Sequence, residues 1–326
     1  MSALPDFQLL RPTTAADAVA MRAANAASRY IAGGTDLLPN IRRGLAEPAV
    51  VIDLGGIAEL RHIDFGNDAL RIGAGTTLVA IAGDATIRAR LTALAEAAEA
   101  VAGPTHRAVA TLGGNLCLDT RCVYYNQSEY WREGNDYCMK LKGEGCRVAK
   151  KSKRCYAAFS GDVAPALIAL GAELEILGPK GSRRIAIADF YRDDGMAWLT
   201  LGPDELLVGI HISLRETWTT SYEKVRVRGA IDFPLAGVAV ALRRKDSVIE
   251  DLRIACTGVA SRPLAVEGLA ELKGKPFDAS ALATITAQTE IAAGAMRTTV
   301  VDMLYRRGVA PVLARRIAER LWNSAA

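Results

Sequence analysis

The stretch from Thr111 to Asp162 constrains this chain most, because it combines two signals that usually occur in different proteins. It opens on TLGGN (Thr111, Leu112, Gly113, Gly114, Asn115), a glycine-paired loop, and leads into SGDVAPALIALGAELEI, a turn, a helix and a strand. Between them lie Cys122, Cys138, Cys146 and Cys155, spaced C-x15-C-x7-C-x8-C, with Trp131 and the tyrosines Tyr124, Tyr125, Tyr130, Tyr137 and Tyr156. Part of the segment is also basic: over residues 140–154, Lys140, Lys142, Arg147, Lys150, Lys151, Lys153 and Arg154 face one acidic residue, Glu144. The pattern reads as a cofactor-binding scaffold into which a metal-cluster loop has been inserted.

Composition narrows the class. A chain of 326 residues buries a substantial core and fits one or two domains. Hydrophobic residues at 50% and charged residues at 23% are ordinary for a soluble globular protein. A net charge of +4 is too small to imply a nucleic-acid partner, and much of the excess sits in the one basic loop. Pro5 and Asp6 stand where a signal peptide carries a basic, then apolar run, and no apolar stretch approaches the ~20 residues of a membrane span. The expectation is therefore a cytoplasmic chain with no membrane partner. In such a chain, six cysteines point to metal chemistry rather than disulfides.

Taken in order, residues 7–10 read as a strand, and Thr13 or Thr14 caps a helix running to about Ala27. Arg29, Tyr30, Ile31 and Ala32 form a short apolar strand before Gly33-Gly34-Thr35-Asp36 turns into a short helix ending near Gly44. Strands follow at 50–54 and, as a hairpin, at 63–65 and 69–73, then helices from Thr76 or Thr77 and over 87–101. His106 reads as a polar loop residue, with no carboxylate or second histidine nearby. Beyond the insertion come a helix over 162–170, strands at 173–177 and 185–187, and a strand at 206–213. Character changes around 215–220. A strand (222–228), a long hairpin (235–242 and 249–257) and helices near 264–272, 279–293 and 309–322 complete an α+β order of strands before helices.

Successive N–H groups at a Gly-Gly turn make a concave nest suited to phosphate oxygens, and glycine has no Cβ to hold a pyrophosphate away. Alone, Gly-Gly-Thr-Asp is equally a helix cap after a tight turn. In combination it is more specific. Ala32-Gly33-Gly34-Thr35-Asp36, Arg107-x-x-Ala110-Thr111-Leu112-Gly113-Gly114-Asn115, Ser160-Gly161-Asp162, Glu205-Leu206-Leu207, Tyr222-x-Lys224-x-x-x-Arg228 and Asp232-Phe233 occur in that order. The series, covering nearly the whole chain, resembles the FAD-binding subunit or domain of the molybdenum hydroxylases, the xanthine oxidase family.

The resemblance implies an α+β fold: an FAD-binding domain of the xanthine oxidase and vanillyl-alcohol oxidase type, with two lobes around FAD, plus a C-terminal lobe of antiparallel sheet and helices. The expected limits are 1–216 for the FAD-binding domain (lobes about 1–55 and 56–216, insertion 119–158) and 217–326 for the C-terminal domain. It implies that Arg29, Tyr30, Ile31, Ala32, Gly33, Gly34, Thr35 and Asp36, with Thr111, Leu112, Gly113, Gly114 and Asn115, wrap the FAD pyrophosphate and ribityl chain. It also places Val101, Asp162, Leu207 and Lys224 on the cofactor, held non-covalently. For Asp162 the structural alternative is a helix N-cap, and for Lys224 a surface strand lysine.

Where most relatives reach Ser-Gly-Asp a few residues after the GGN loop, here roughly forty intervene. This resembles the flavin subunits of the 4-hydroxybenzoyl-CoA reductases, a branch whose subunit carries an extra [4Fe–4S] cluster. Four thiolates hold such a cluster, tetrahedral zinc, or nothing. No gap is as short as the C-x2–4-C of structural zinc sites, so the cluster on Cys122, Cys138, Cys146 and Cys155 is preferred, zinc second and disulfides last. Cys117 competes with Cys122 as first ligand but falls where cluster-free relatives continue the scaffold, and Cys256 lies in an apolar strand.

The basic run around Lys140 reads as a solvated surface, as cations offsetting the cluster's charge, or as a rim steering an acidic carrier such as ferredoxin. Nucleic-acid binding is disfavoured because no aromatic residues interleave. The implied function is electron transfer inward from ferredoxin, for reductive dehydroxylation of 4-hydroxybenzoyl-CoA to benzoyl-CoA. Substrate chemistry would occur on a molybdenum-cofactor subunit beside a [2Fe–2S] subunit, in a hetero-oligomer (a dimer of heterotrimers by resemblance). The rivals are the FAD subunit of an oxidative molybdenum hydroxylase and a zinc-stapled binding module.

Overall fold

The computed structural model describes residues 4–324 and sorts its strands into sheets in chain order. Strands β1 (Gln8–Leu10), β2 (Ser28–Ile31) and β3 (Val50–Asp53) form a small parallel sheet in the order β1-β3-β2. Parallel pairing requires crossovers, supplied here by helices Ala15–Ala24 and Leu37–Arg42. Thr14 caps the first, its hydroxyl accepting from Asp17 N at 3.0 Å.

Strands β4 (Ile63–Phe65), β5 (Ala69–Gly73), β6 (Glu173–Gly178), β7 (Gly181–Ala186) and β8 (Leu206–Ser213) make an antiparallel sheet, ordered β4-β5-β8-β6-β7. Leu70, Ile72, Leu174, Ile176, Ile210 and Ile212 bury its inner face against helices Leu78–Gly83, Thr92–Ala100 and Val163–Ala169. The third sheet, β12-β11-β10-β9, is antiparallel: β9 (Thr219–Val225), β10 (Ala236–Lys245), β11 (Val248–Thr257) and β12 (Leu264–Ala265).

Along β10, Ala236, Val238, Val240 and Leu242 enter a core closed by helices Ala279–Ala292 and Met303–Ser324, while Ala239 and Ala241 join the core behind the second sheet. A strand covered on both faces reads as a continuous apolar run, as this one does. The double burial lays β9 along helix Thr92–Ala100. There Ala93 N donates to Thr220 Oγ1 at 3.0 Å, and Tyr222 N donates to the Glu96 carboxylate at 2.7 Å.

Several expected elements differ. The single helix over 87–101 is two, Ala85–Arg90 and Thr92–Ala100, broken at Leu91, which leaves helical geometry and is itself buried. No helix forms over 264–272: β12 and a 3-10 turn at Leu269–Leu272 replace it, around a left-handed Gly268 (φ +78°). The first helix stops at Ala24 and the last begins at Met303, leaving Pro311 in its interior. Strand β9 ends at Val225 rather than running to Arg228, because the chain leaves the sheet for a loop. His106 lies in a helical turn, Pro104–Arg107, rather than a loop. No helix among the described residues is long and apolar enough to cross a membrane.

Candidate functional site

The two glycine loops meet. A Cβ added at Gly33 would stand 2.1 Å from Val109 O and 2.9 Å from Ala110 Cα, so the first loop packs backbone against backbone on the approach to the second. Gly34 takes φ +70°, which favours glycine. Among the described residues, no acceptor takes the N–H groups of Gly33, Gly34, Thr35 and Asp36. Unmet donors in a concave turn are what an anionic group requires. In the second loop, Thr111 caps Leu112–Leu116, its hydroxyl accepting from Gly114 N at 3.1 Å. Gly113 presses on Ala74, where an added Cβ would come within 2.8 Å of another Cβ.

Asp36 stands at the N-cap position of helix Leu37–Arg42, but its side chain makes no capping bond. Its carboxylate forms an ion pair with Arg121 and accepts from Asn40 Nδ2 at 3.3 Å and Asp119 N at 3.4 Å. It therefore fastens the first glycine loop to the start of the cysteine insertion. Asp162 likewise holds the N-cap position of Val163–Ala169 without a side-chain capping bond, and it is Asn115 Oδ1 that accepts from Val163 N at 3.2 Å. The Asp162 carboxylate instead accepts from Tyr222 Oη at 2.6 Å and pairs with Lys224 Nζ at 3.0 Å. The Lys224 side chain is 3% exposed, so it is no surface lysine. Burial pushes the Asp162 carboxyl up and the Lys224 ammonium down, each toward neutrality, and their mutual attraction opposes both shifts.

Val101 ends helix Thr92–Ala100, its carbonyl accepting from Arg107 at 2.9 Å. Beside it Ala102 (φ +43°) accepts from the N–H of Ile231 (φ +52°) at 3.1 Å, which seats the loop after β9 against this corner. Leu207 is buried in the core behind the second sheet. Arg29 is exposed, and Tyr30 turns to the small-sheet core, its hydroxyl donating to Ala18 O at 3.3 Å. Burial raises the Tyr30 phenol to about 12.

The insertion leaves and rejoins the scaffold at one neck, where Arg121 and Ala158 exchange two backbone hydrogen bonds of 2.7 Å. Within it only Glu129–Glu133 is helical. Arg132, 1% exposed, holds the fold together by donating to the carbonyls of Arg43 (2.7 Å) and Gln127 and to Glu129. Cys122, Cys138, Cys146 and Cys155 are all buried free thiols lining one small pocket with Tyr125, Met139, Lys140 and Val148. No histidine or carboxylate joins them there. Burial raises Cys122 to about 12 and Cys155 to about 11, and the other pocket sulfurs add to both shifts. Such thiols ionise when a metal offsets their charge. Among the described residues no three His, Cys, Asp or Glu side chains converge to hold a metal ion. The four thiols surround a pocket rather than a point.

Cys117 packs against the scaffold core outside this pocket, and Cys256 is buried in β11. Lys140 corrects the picture of a basic surface run. It is 5% exposed and donates to Asp119 at 2.6 Å, with its ammonium over the rings of Tyr125 and Trp198. The exposed cations are Lys142, Lys150, Lys151 and Lys153. Arg121, Lys140 and Tyr222 escaped sequence reasoning as linking residues, since nothing local marks their long-range partners.

Residues 5–214 match the family described as FAD binding domain in molybdopterin dehydrogenase, and residues 220–321 match the CO dehydrogenase flavoprotein C-terminal domain. The xanthine dehydrogenase FAD-binding subunit of Escherichia coli O157:H7 is 30% identical over 257 residues, covering 78% of this chain and 74% of that one. The carbon monoxide dehydrogenase medium chain of Afipia carboxidovorans is 30% identical over 319 residues, 96% of each chain. Among solved structures, carbon monoxide dehydrogenase from Hydrogenophaga pseudoflava, in a form lacking the Mo-pyranopterin moiety, aligns with a TM-score of 0.81 at 25% identity over 99% of both chains.

Proposed function

We infer what this chain does from one premise: it belongs to the FAD-binding subunits of the molybdenum hydroxylases, the xanthine oxidase family. It is an oxidoreductase subunit. FAD, when bound, exchanges electrons singly or in pairs and so joins one-electron centres to two-electron substrate chemistry. The free N–H groups of Gly33 to Asp36 and the Thr111–Asn115 turn are assigned to the phosphates and ribityl chain. Lys224 is assigned to the flavin end, where a cation favours added negative charge. A molybdenum-cofactor subunit and a [2Fe–2S] subunit are the partners we assign, since relatives are named medium chains and FAD-binding subunits.

The shared pocket of four buried thiols supports a finer reading. An all-sulfur donor set suits iron–sulfur or zinc. Zinc draws its sulfurs to within about 3.8 Å of one another, from Zn–S bonds of about 2.3 Å. The four cysteines here have no C-x2–4-C pair of the kind structural zinc sites use, which favours the cluster. A [4Fe–4S] cluster held by Cys122, Cys138, Cys146 and Cys155 would supply a one-electron inlet, suited to a ferredoxin donor and to reduction of 4-hydroxybenzoyl-CoA to benzoyl-CoA. The exposed Lys142, Lys150, Lys151 and Lys153 would steer the acidic donor.

The relatives favour a second reading, an oxidative enzyme. They are named for xanthine, aldehyde, carbon monoxide and nicotine. Anaerobic purification with its partners separates the two. The reductive reading expects about four irons per flavin in this subunit beyond the [2Fe–2S] centres. It also expects iron loss on changing any pocket cysteine to alanine, and none for Cys117→Ala. Zinc without iron leaves the oxidative reading in place, whereas ferredoxin-linked turnover unaffected by those changes removes the cluster as the electron inlet.

A further inference from the structure

We propose that Tyr222 is a positioning residue of the flavin site: its phenol, delivered by the C-terminal sheet, fixes the Asp162 carboxylate so that Lys224 presents its ammonium to the cofactor. This rests on the FAD assignment above and adds a residue to it.

Tyr222 and Lys224 are two apart on β9, so both side chains leave the same face of the strand. They converge on Asp162, which is 3% exposed. Tyr222 Oη donates to Oδ1 at 2.6 Å, and Lys224 Nζ donates to Oδ2 at 3.1 Å while standing 3.0 Å from Oδ1. The lysine spans both oxygens, and the phenol, bonded to one of them, fixes the orientation of the carboxylate it spans. Lys224 also donates to Asp232 O at 3.1 Å. An ammonium has three donors, so one remains for a ligand.

The room for this phenol is built into the neighbouring strand. Gly237 on β10 pairs in register with Lys224, and a Cβ there would lie 2.3 Å from Tyr222 Oη and 2.9 Å from Thr257 Cγ2. The phenol thus occupies the space that any side chain at 237 would claim. At its other end Tyr222 is anchored by its N–H to Glu96. A tyrosine wanted for packing alone would need neither the vacant position nor the short hydrogen bond to a buried carboxylate.

The test uses the full-length chain with its partners, comparing wild type, Tyr222→Phe and Gly237→Ala. FAD affinity and the reduction potential of the bound flavin are measured, with the melting of the flavin-free protein as control. Loss of a hydrogen bond to a charged group predicts roughly tenfold weaker FAD binding in Tyr222→Phe. The flavin potential should fall, because the released carboxylate draws the ammonium away. Gly237→Ala, which displaces the phenol without removing it, should move both quantities the same way, and it decides the matter if Tyr222→Phe fails to fold. Wild-type affinity and potential in a folded variant overturn the proposal, even if melting drops, since that marks packing alone. A wild-type chain that takes up no FAD overturns the underlying assignment as well.

Discussion

The glycine cradle and the cysteine pocket are neighbours built by opposite means. The cradle is backbone on backbone, Gly33 against the Val109 carbonyl and Gly113 against Ala74, and it works through side chains that are missing. The pocket is made of side chains that are present, four sulfurs carried by irregular chain in an insertion that Arg132 ties to the Arg43 carbonyl. One site is therefore intolerant of added atoms and the other of removed ones. They are joined through Asp36 and Arg121, the residue before Cys122.

The hardest test of that contrast adds atoms to the cradle. Gly33→Val drives a side chain into the Val109 carbonyl and should abolish flavin retention, at a stability cost of about 3 kcal/mol or more in urea titrations. Gly114→Val should be milder, because an added Cβ there meets only Thr111 Oγ1, at 3.0 Å. Full flavin occupancy in Gly33→Val would put the cradle elsewhere.

Removing atoms from the insertion comes next. Arg132→Met strands the Arg43 and Gln127 carbonyls and should cost about 3 kcal/mol locally. Its thiols should react quickly with a thiol reagent while flavin content holds; loss of flavin instead would show that the regions are not separately built.

Asp36→Asn attacks the joint itself. With the pair only partly exposed, about 1–2 kcal/mol is expected, and flavin release and thiol reactivity should rise together. A change in only one of them would uncouple the two sites.

The smallest effect is one of pH. The Tyr137 phenol, Arg132 and Lys142 hold the Glu129 carboxyl down, from 4.5 to about 2. A depressed carboxyl stabilises fully above its unfolded value and loses that contribution as pH falls toward the folded one. Cleavage of the insertion by an acid-active protease should therefore rise between about pH 4.5 and 2, modestly because Glu129 is exposed, and Glu129→Gln should flatten that rise. An unchanged profile in that variant would remove Glu129 from the account.

What sequence determined by itself was local. The hairpin β4–β5 turns on Gly66-Asn67-Asp68 where turn residues interrupt alternating apolar ones, and β8 spans 206–213 as expected. The glycine loops were legible as motifs, and the four clustered cysteines as one set apart from Cys117 and Cys256. Tertiary structure alone decided the rest. It turned Lys140 inward onto Asp119 and set the side chains of Asp36 and Asp162, both at N-cap positions, into ion pairs in place of capping bonds. It broke a helix at Leu91 and brought Val109 onto Gly33 and Tyr222 onto Asp162. The reason is range. Capping, turn chemistry and periodicity report contacts within a few residues, whereas a charge's partner depends on which sheet covers which helix. Here β10, buried on both faces, sets that arrangement by carrying β9 over Asp162.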